Sequence, residues 1–94
     1  MRIYHDEEAT KFVAEEDDGT YVGSIVYSRQ GPELISATHT WVDPQFRGKG
    51  MAGKLVDALV GYARENATKI TPVCPYVVEA FAKHPEKYRD VAAE

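Results

Sequence analysis

At Asp43-Pro44 the spacing of apolar residues along this chain changes. Before it, apolar and polar residues mostly alternate; from Met51 they recur at every third or fourth position. Such a chain makes a sheet first and a helix to pack on it second. Its 94 residues form one domain, 1–94, since about 150 residues per domain leaves no room for another.

Thr10 to Glu15 carries Phe12 and Ala14 alternating with Lys11, Val13 and Glu15. Asp18-Gly19 follows as a hairpin signal, because both residues tolerate positive φ. Thr20 to Ser28 is a longer strand, with Tyr21, Ile25 and Tyr27 on one face and Val22 and Val26 on the other. Apolar residues on both faces predict a central strand covered on both sides. Gln30-Gly31-Pro32 marks a second turn, and Leu34 to Val42 a third strand stopped by Asp43-Pro44. The three make an antiparallel meander, with Ile3 and Tyr4 placed to extend its edge.

In the second half, Ala52, Leu55, Val56, Leu59, Val60 and Ala63 form a stripe, and Lys54, Asp57, Arg64 and Glu65 lie off it. Met51 to Asn66 is therefore an amphipathic helix of about four turns, capped by Asn66. Lys69 to Cys74 reads as a short strand. Pro75 opens a second helix, Pro75 to Lys83, which His84-Pro85 ends. The order β-β-β-α-β-α gives an α+β fold with a mixed sheet. A right-handed crossover sets the last strand parallel beside the third.

The net charge of −4 argues against a dedicated nucleic-acid binder, but the charge is uneven. Residues 1–33 hold eight acids and three bases, a balance of −5; residues 34–94 hold seven and eight, a balance of +1. Arg47, Lys49 and Lys54 cluster against Asp43 alone, which points to a bound anion of limited size. No uncharged run exceeds the ten residues of Gly19 to Ser28, and Ile70 to Val78 has nine with two prolines, all far short of a membrane span. The start, Met1 to Glu8, turns acidic where a secretory signal would become apolar. A lone cysteine, Cys74, excludes an intrachain disulfide and a multi-cysteine zinc site, and no ligand spacing joins it to the histidines. We expect a cytoplasmic protein with no metal and no membrane partner.

Between strand and helix lies Gln45-Phe46-Arg47-Gly48-Lys49-Gly50-Met51-Ala52-Gly53-Lys54. Glycines let a backbone approach a ligand closely, and the first N–H groups of a helix bind anions. Gly48, Gly50 and Gly53 satisfy G-x-G-x-x-G, but five residues separate them from the strand. No acid for a ribose occurs between Glu65 and Glu79 either. Gly48 to Lys54 spells G-x-x-x-x-G-K, but Leu55 follows where Ser or Thr must ligate Mg²⁺. Gln45, Gly48 and Gly50 meet a third pattern, Q/R-x-x-G-x-G/A.

On that loop, with His39-Thr40-x-Val42 before it and Cys74-Pro75-Tyr76 after the last strand, the chain resembles the GNAT superfamily of N-acetyltransferases. It looks most like the minimal stand-alone branch, and the resemblance runs from Tyr21 to Tyr88. It implies acetyl-CoA as donor, its pyrophosphate on Arg47, Gly48, Lys49, Gly50, Met51 and Ala52. It also implies that the pantetheine arm lies between splayed strands ending at Val42 and Cys74, with the Val42 N–H nearest the thioester carbonyl. Pro72, lacking an N–H, fits where pairing is lost. The acceptor is a primary amine, on a small molecule or a lysine-containing peptide. Helices between the first two strands and the last two C-terminal strands of larger relatives are missing, which leaves a CoA-binding module without catalysis as the alternative.

Acetyl transfer needs the amine deprotonated and the departing thiolate protonated. Cys74, between strand and helix start, sits where a thiolate is favoured; base, acid toward CoA and acetyl carrier all remain open to it, as does a core role. His39 is the second catalytic candidate, although its strand places it with Ile35, Ala37 and Trp41 on one apolar face. Tyr76 is able to protonate a thiolate, but a tyrosine in a first helical turn reads as buried packing. His5 and His84 read as surface groups.

Overall fold

Alternation in the first half becomes a four-stranded antiparallel meander: β1 (Arg2–Asp6), β2 (Lys11–Glu15), β3 (Tyr21–Gly31) and β4 (Leu34–Val42). The computed structural model describes residues 1–93; Glu94, the last residue of the expected domain, lies outside them. Gly19, at φ +91°, makes the β2–β3 turn, where Asp18 accepts a bond from the Thr20 N–H at 2.9 Å. The second turn falls at Pro32-Glu33, so β3 takes in Gln30 and Gly31.

Helix α1 (Met51–Glu65) then crosses to β5 (Lys69–Pro72), which lies parallel beside β4 as the crossover rule requires. Asn66 caps α1 as expected, its backbone and side-chain nitrogens both donating to the Tyr62 carbonyl. Helix α2 (Pro75–Lys83) and a short helix α3 (Pro85–Tyr88), absent from the sequence reading, complete the chain. After α3, Ala92 bridges Ile70 and covers the outer edge of β5.

The core is a single cluster in which Leu55, Val56, Leu59, Val60 and Ala63 of α1 meet Phe12, Ile25, Ile35 and Ile70 of the sheet. Val77 and Phe81 of α2 join the same cluster. Fully burying one such aliphatic side chain contributes about 1.5–3 kcal/mol. The expectation that β3 is covered on both sides is corrected: the opposite face carries Tyr4, Tyr21 and Trp41, which are 37%, 42% and 37% exposed. β3 is closely paired all the same. A Cβ on Gly23 would run into the backbone oxygen of Trp41.

Candidate active site

The site forms where β4 and β5 separate. Their pairing ends at Ala37 opposite Pro72, and the Val73 and Cys74 N–H groups both close onto the Ala37 carbonyl, at 3.2 and 2.9 Å. From Thr38 onward β4 keeps β3 as neighbour but has lost β5. The Asp43 N–H donates to the Val22 carbonyl at 2.8 Å, so antiparallel alternation turns the N–H and C=O of Val42, and of Thr40, away from β3 and into the opening. The Val42 carbonyl accepts a bond from Arg47 Nε at 2.8 Å. Its N–H remains a donor facing the cleft.

Pro44–Phe46 forms a 3-10 turn capped by Asp43, whose carboxylate accepts the Gln45 N–H. Gly48 and Gly50 follow in the left-handed region, at φ +81° and +78°, which side-chain-bearing residues enter at a cost. Gly50 is the N-cap of α1, with no side-chain cap and no acid in the first turn. The first helical bond runs from the Lys54 N–H to the Gly50 carbonyl. The N–H groups of Met51, Ala52 and Gly53 therefore have no helical acceptor and stand at the positive end of the helix dipole.

A hollow of about 90 Å³ opens there. Its wall takes in Val42, Arg47, Gly48, Gly50, Met51 and Ala52, six of the seven expected cofactor residues, and adds Phe46 and Tyr76. Lys49 is the exception; its ammonium turns over the Phe46 ring, 5.9 Å from the centroid. Tyr76 is not buried packing but 46% exposed. It stands in the first turn of α2, above the end of the splayed strands, where no further element covers it among the described residues.

Cys74 is the N-cap of α2 and is buried. Its thiol does not accept a bond from the first turn of the helix; it donates to Thr40 Oγ1 at 3.1 Å. His39 is placed differently from the sequence reading. Val26 pairs with His39 while the next residue, Tyr27, pairs with Ala37, so Thr38 is an extra residue in β4. Such a bulge shifts the alternation by one. Ile35 and Ala37 face the helices, whereas His39 is exposed beside Trp41 on the open face. The two catalytic candidates thus lie on opposite sides of β4, with Thr40, not His39, against the thiol.

His5 is no surface group. Its ring stacks on Phe12 at 4.2 Å and meets Tyr62 edge-on at 4.6 Å, and its Nε2 lies 2.7 Å from the Tyr27 hydroxyl. His84, at the C-cap of α2, is exposed. Among the described residues no three His, Cys, Asp or Glu side chains converge as metal ligands would, and no helix is long and apolar enough to cross a membrane.

Compared with known proteins, residues 11–91 match the family described as GCN5-related N-acetyltransferase. A GCN5-like protein from Staphylococcus aureus, solved by NMR, superposes with a TM-score of 0.73 at 29% identity, covering 98% of this chain and 87% of that one. A Mycobacterium tuberculosis protein in complex with CoA and NLQ gives 0.69 at 28% identity, over 84% of this chain and 50% of its own. Ard1 from Thermoplasma volcanium gives 0.57 at 29% identity, over 63% and 39%. The chain thus spans half or less of the last two. No curated protein matches the sequence.

Proposed function

The chain belongs to the GCN5-related N-acetyltransferase family, and we propose that its glycine loop holds the pyrophosphate of acetyl-CoA, from which an acetyl group passes to a primary amine. The observation that carries the reading is the uncapped start of α1, where Met51 and Ala52, whose N–H groups have no helical acceptor, border a hollow beside the splayed strands. An anion is stabilised there by oriented dipoles without a lysine clamp, and Arg47 adds charge at the rim. The M. tuberculosis relative is bound to CoA, which supports the same ligand here.

The donor supplies the activated acetyl group; the chain's own residues position it and move protons. The unpaired backbone of Thr40 and Val42 offers a strand edge for the pantetheine arm, and the Val42 N–H polarises the thioester carbonyl. When the amine nitrogen bonds to the carbonyl carbon, the carbon–sulfur bond breaks, the amine loses one proton and the sulfur gains one. His39, exposed on the outer side of β4, accepts the first proton. The Cys74 thiol, on the inner side, supplies the second; before the next turnover His39 gives its proton to solvent and Cys74 regains one from it. A buried thiol in an otherwise cysteine-free chain suits the cytoplasm, where thiols stay reduced.

CoA should raise the melting temperature by binding only the native state, and ATP or NAD should do so far less. Replacing Gly50 by Val puts a side chain into the anion site. The new Cβ meets no protein atom within 4 Å, so the fold pays only backbone strain of about 1–2 kcal/mol. The variant should keep a native circular dichroism spectrum and lose the CoA shift. An undiminished shift would overturn the assignment of the loop.

A further inference from the structure

The uncovered side of the sheet carries an ordered arrangement of residues that the cofactor site does not use. Tyr4, Val13, Ser24 and Trp41 are direct partners across β1, β2, β3 and β4, so all four side chains stand on this side. Tyr21 lies flat on Trp41, centroids 5.5 Å apart and planes 8° from parallel, and its hydroxyl donates to Ser24 Oγ at 2.8 Å. Val13 and Ser24 are buried beneath these rings, which are themselves well exposed. The next row, Asp6, Lys11, Val26 and His39, continues the surface toward the proposed base. From Tyr4 to Trp41 the row crosses three strand spacings, about 14 Å. That is wider than a small amine and suited to an extended chain.

The charges beside the rings decide what kind of chain. The β2–β3 hairpin next to Tyr21 holds Glu15, Glu16, Asp17 and Asp18, and Asp43 follows Trp41-Val42. Hydrogen bonds from Thr20 hold the Asp18 carboxyl below the ordinary carboxylate range, so it stays ionised. Two cations at this end are already engaged: Arg2 with Glu15 at 3.0 Å and the N-terminal ammonium with Asp17 at 2.6 Å. A second copy of this chain would bring acids against acids. Aromatic faces attract cations, and the Arg2 guanidinium already sits 5.2 Å from the Tyr4 ring centre.

We infer that the open sheet face, centred on the Tyr21–Trp41 stack and bordered by the acidic hairpin, docks the acetyl acceptor as an extended, lysine-bearing polypeptide. This rests on the acetyl-transfer reading above. Trp41 directly precedes Val42, whose N–H faces the cleft, and His39 shares its side of β4. A peptide lying across the strands therefore presents a lysine at the end of β4 where the donor is held.

Trp41 is the only tryptophan, so its fluorescence reports this face without any need for turnover. A short oligolysine at low ionic strength should change the emission saturably, and added salt should weaken the effect. In the acetyl-transfer assay Trp41→Ala, and separately Tyr21→Ala, should raise KM for oligolysine about tenfold through loss of ring contacts, while the rise in Tm with CoA persists. An unchanged emission, an equal response to oligoglutamate, or an unchanged KM in both variants overturns the docking face. So does self-association in sedimentation that Trp41→Ala abolishes, which would assign the face to a second copy. Failure of CoA to shift the wild-type Tm strikes the cofactor reading instead, and the fluorescence titration still decides this one.

Discussion

Cys74 carries two demands on one side chain. As N-cap of α2 it ends a strand and starts a helix, and as a buried thiol bonded to Thr40 it occupies the inner side of the cleft. If its proton is the one given to the departing sulfur, Cys74→Ala should lower kcat by about a hundredfold with little change in CoA affinity. Cys74→Ser keeps the size and the bond to Thr40 but holds its proton far more tightly, so it should also be slow. Intact-mass measurement after incubation with acetyl-CoA should show no acetyl adduct at this residue. An adduct removed by amine would make Cys74 an acetyl carrier, and wild-type turnover in both variants would make it purely structural. Beside it, Thr38 shows how one residue alters a site: as the extra residue of β4 it sends His39 outward and leaves Thr40 facing the thiol.

At the level of elements, β1, β2, β3 and α1 are joined at the end away from the glycine loop by His5, Phe12, Tyr27 and Tyr62. Burial, reinforced by the neighbouring Tyr62 phenol, pushes Tyr27 up to about 12 from the ordinary 10.0. The folded chain thus holds this proton more tightly than the unfolded chain does. The resulting stability is complete below pH 10 and is lost as pH rises through 12. Melting temperature should fall across that window, and Tyr27→Phe should flatten the fall; an equally steep decline in the variant would show that other groups cause it. Helix α1 is also tied to the C-terminal segment. Arg64 meets Asp90 at 2.7 Å, and the Tyr88 hydroxyl donates to Asp57 at 2.7 Å. These bonds hold α3 against α1 and keep Ala92 on the edge of β5.

Across the whole molecule the charge is divided between acids concentrated in the first three strands and their turns, and bases around the glycine loop. With acetyl transfer as proposed, this division would draw a cationic acceptor and an anionic donor to different parts of one small sheet. For a cationic amine kcat/KM should fall as ionic strength rises, because screening weakens attraction beyond about 10 Å at 0.1 M salt; a flat dependence, or preference for a neutral amine, would refute the steering. The alternation of Phe12 and Ala14, the Asp18-Gly19 turn, the α1 stripe and the glycine loop were all legible from the sequence. Each is a local pattern whose period or turn chemistry admits one structure. The parallel placement of β5 was legible too, since handedness leaves a strand–helix–strand unit little choice. What could not be read was anything that depended on counting across strands or on what lies above a surface. Strict alternation set His39 among Ile35 and Ala37, and nothing in the order of residues announces that Thr38 is an extra residue. Tyr76 and the aromatic side of β3 looked like core because tyrosine and tryptophan serve equally in interiors and at binding faces. Only the packing of α1 and α2 onto the same side of the sheet decided which aromatic groups are covered, because burial belongs to the assembled layers and not to any one segment.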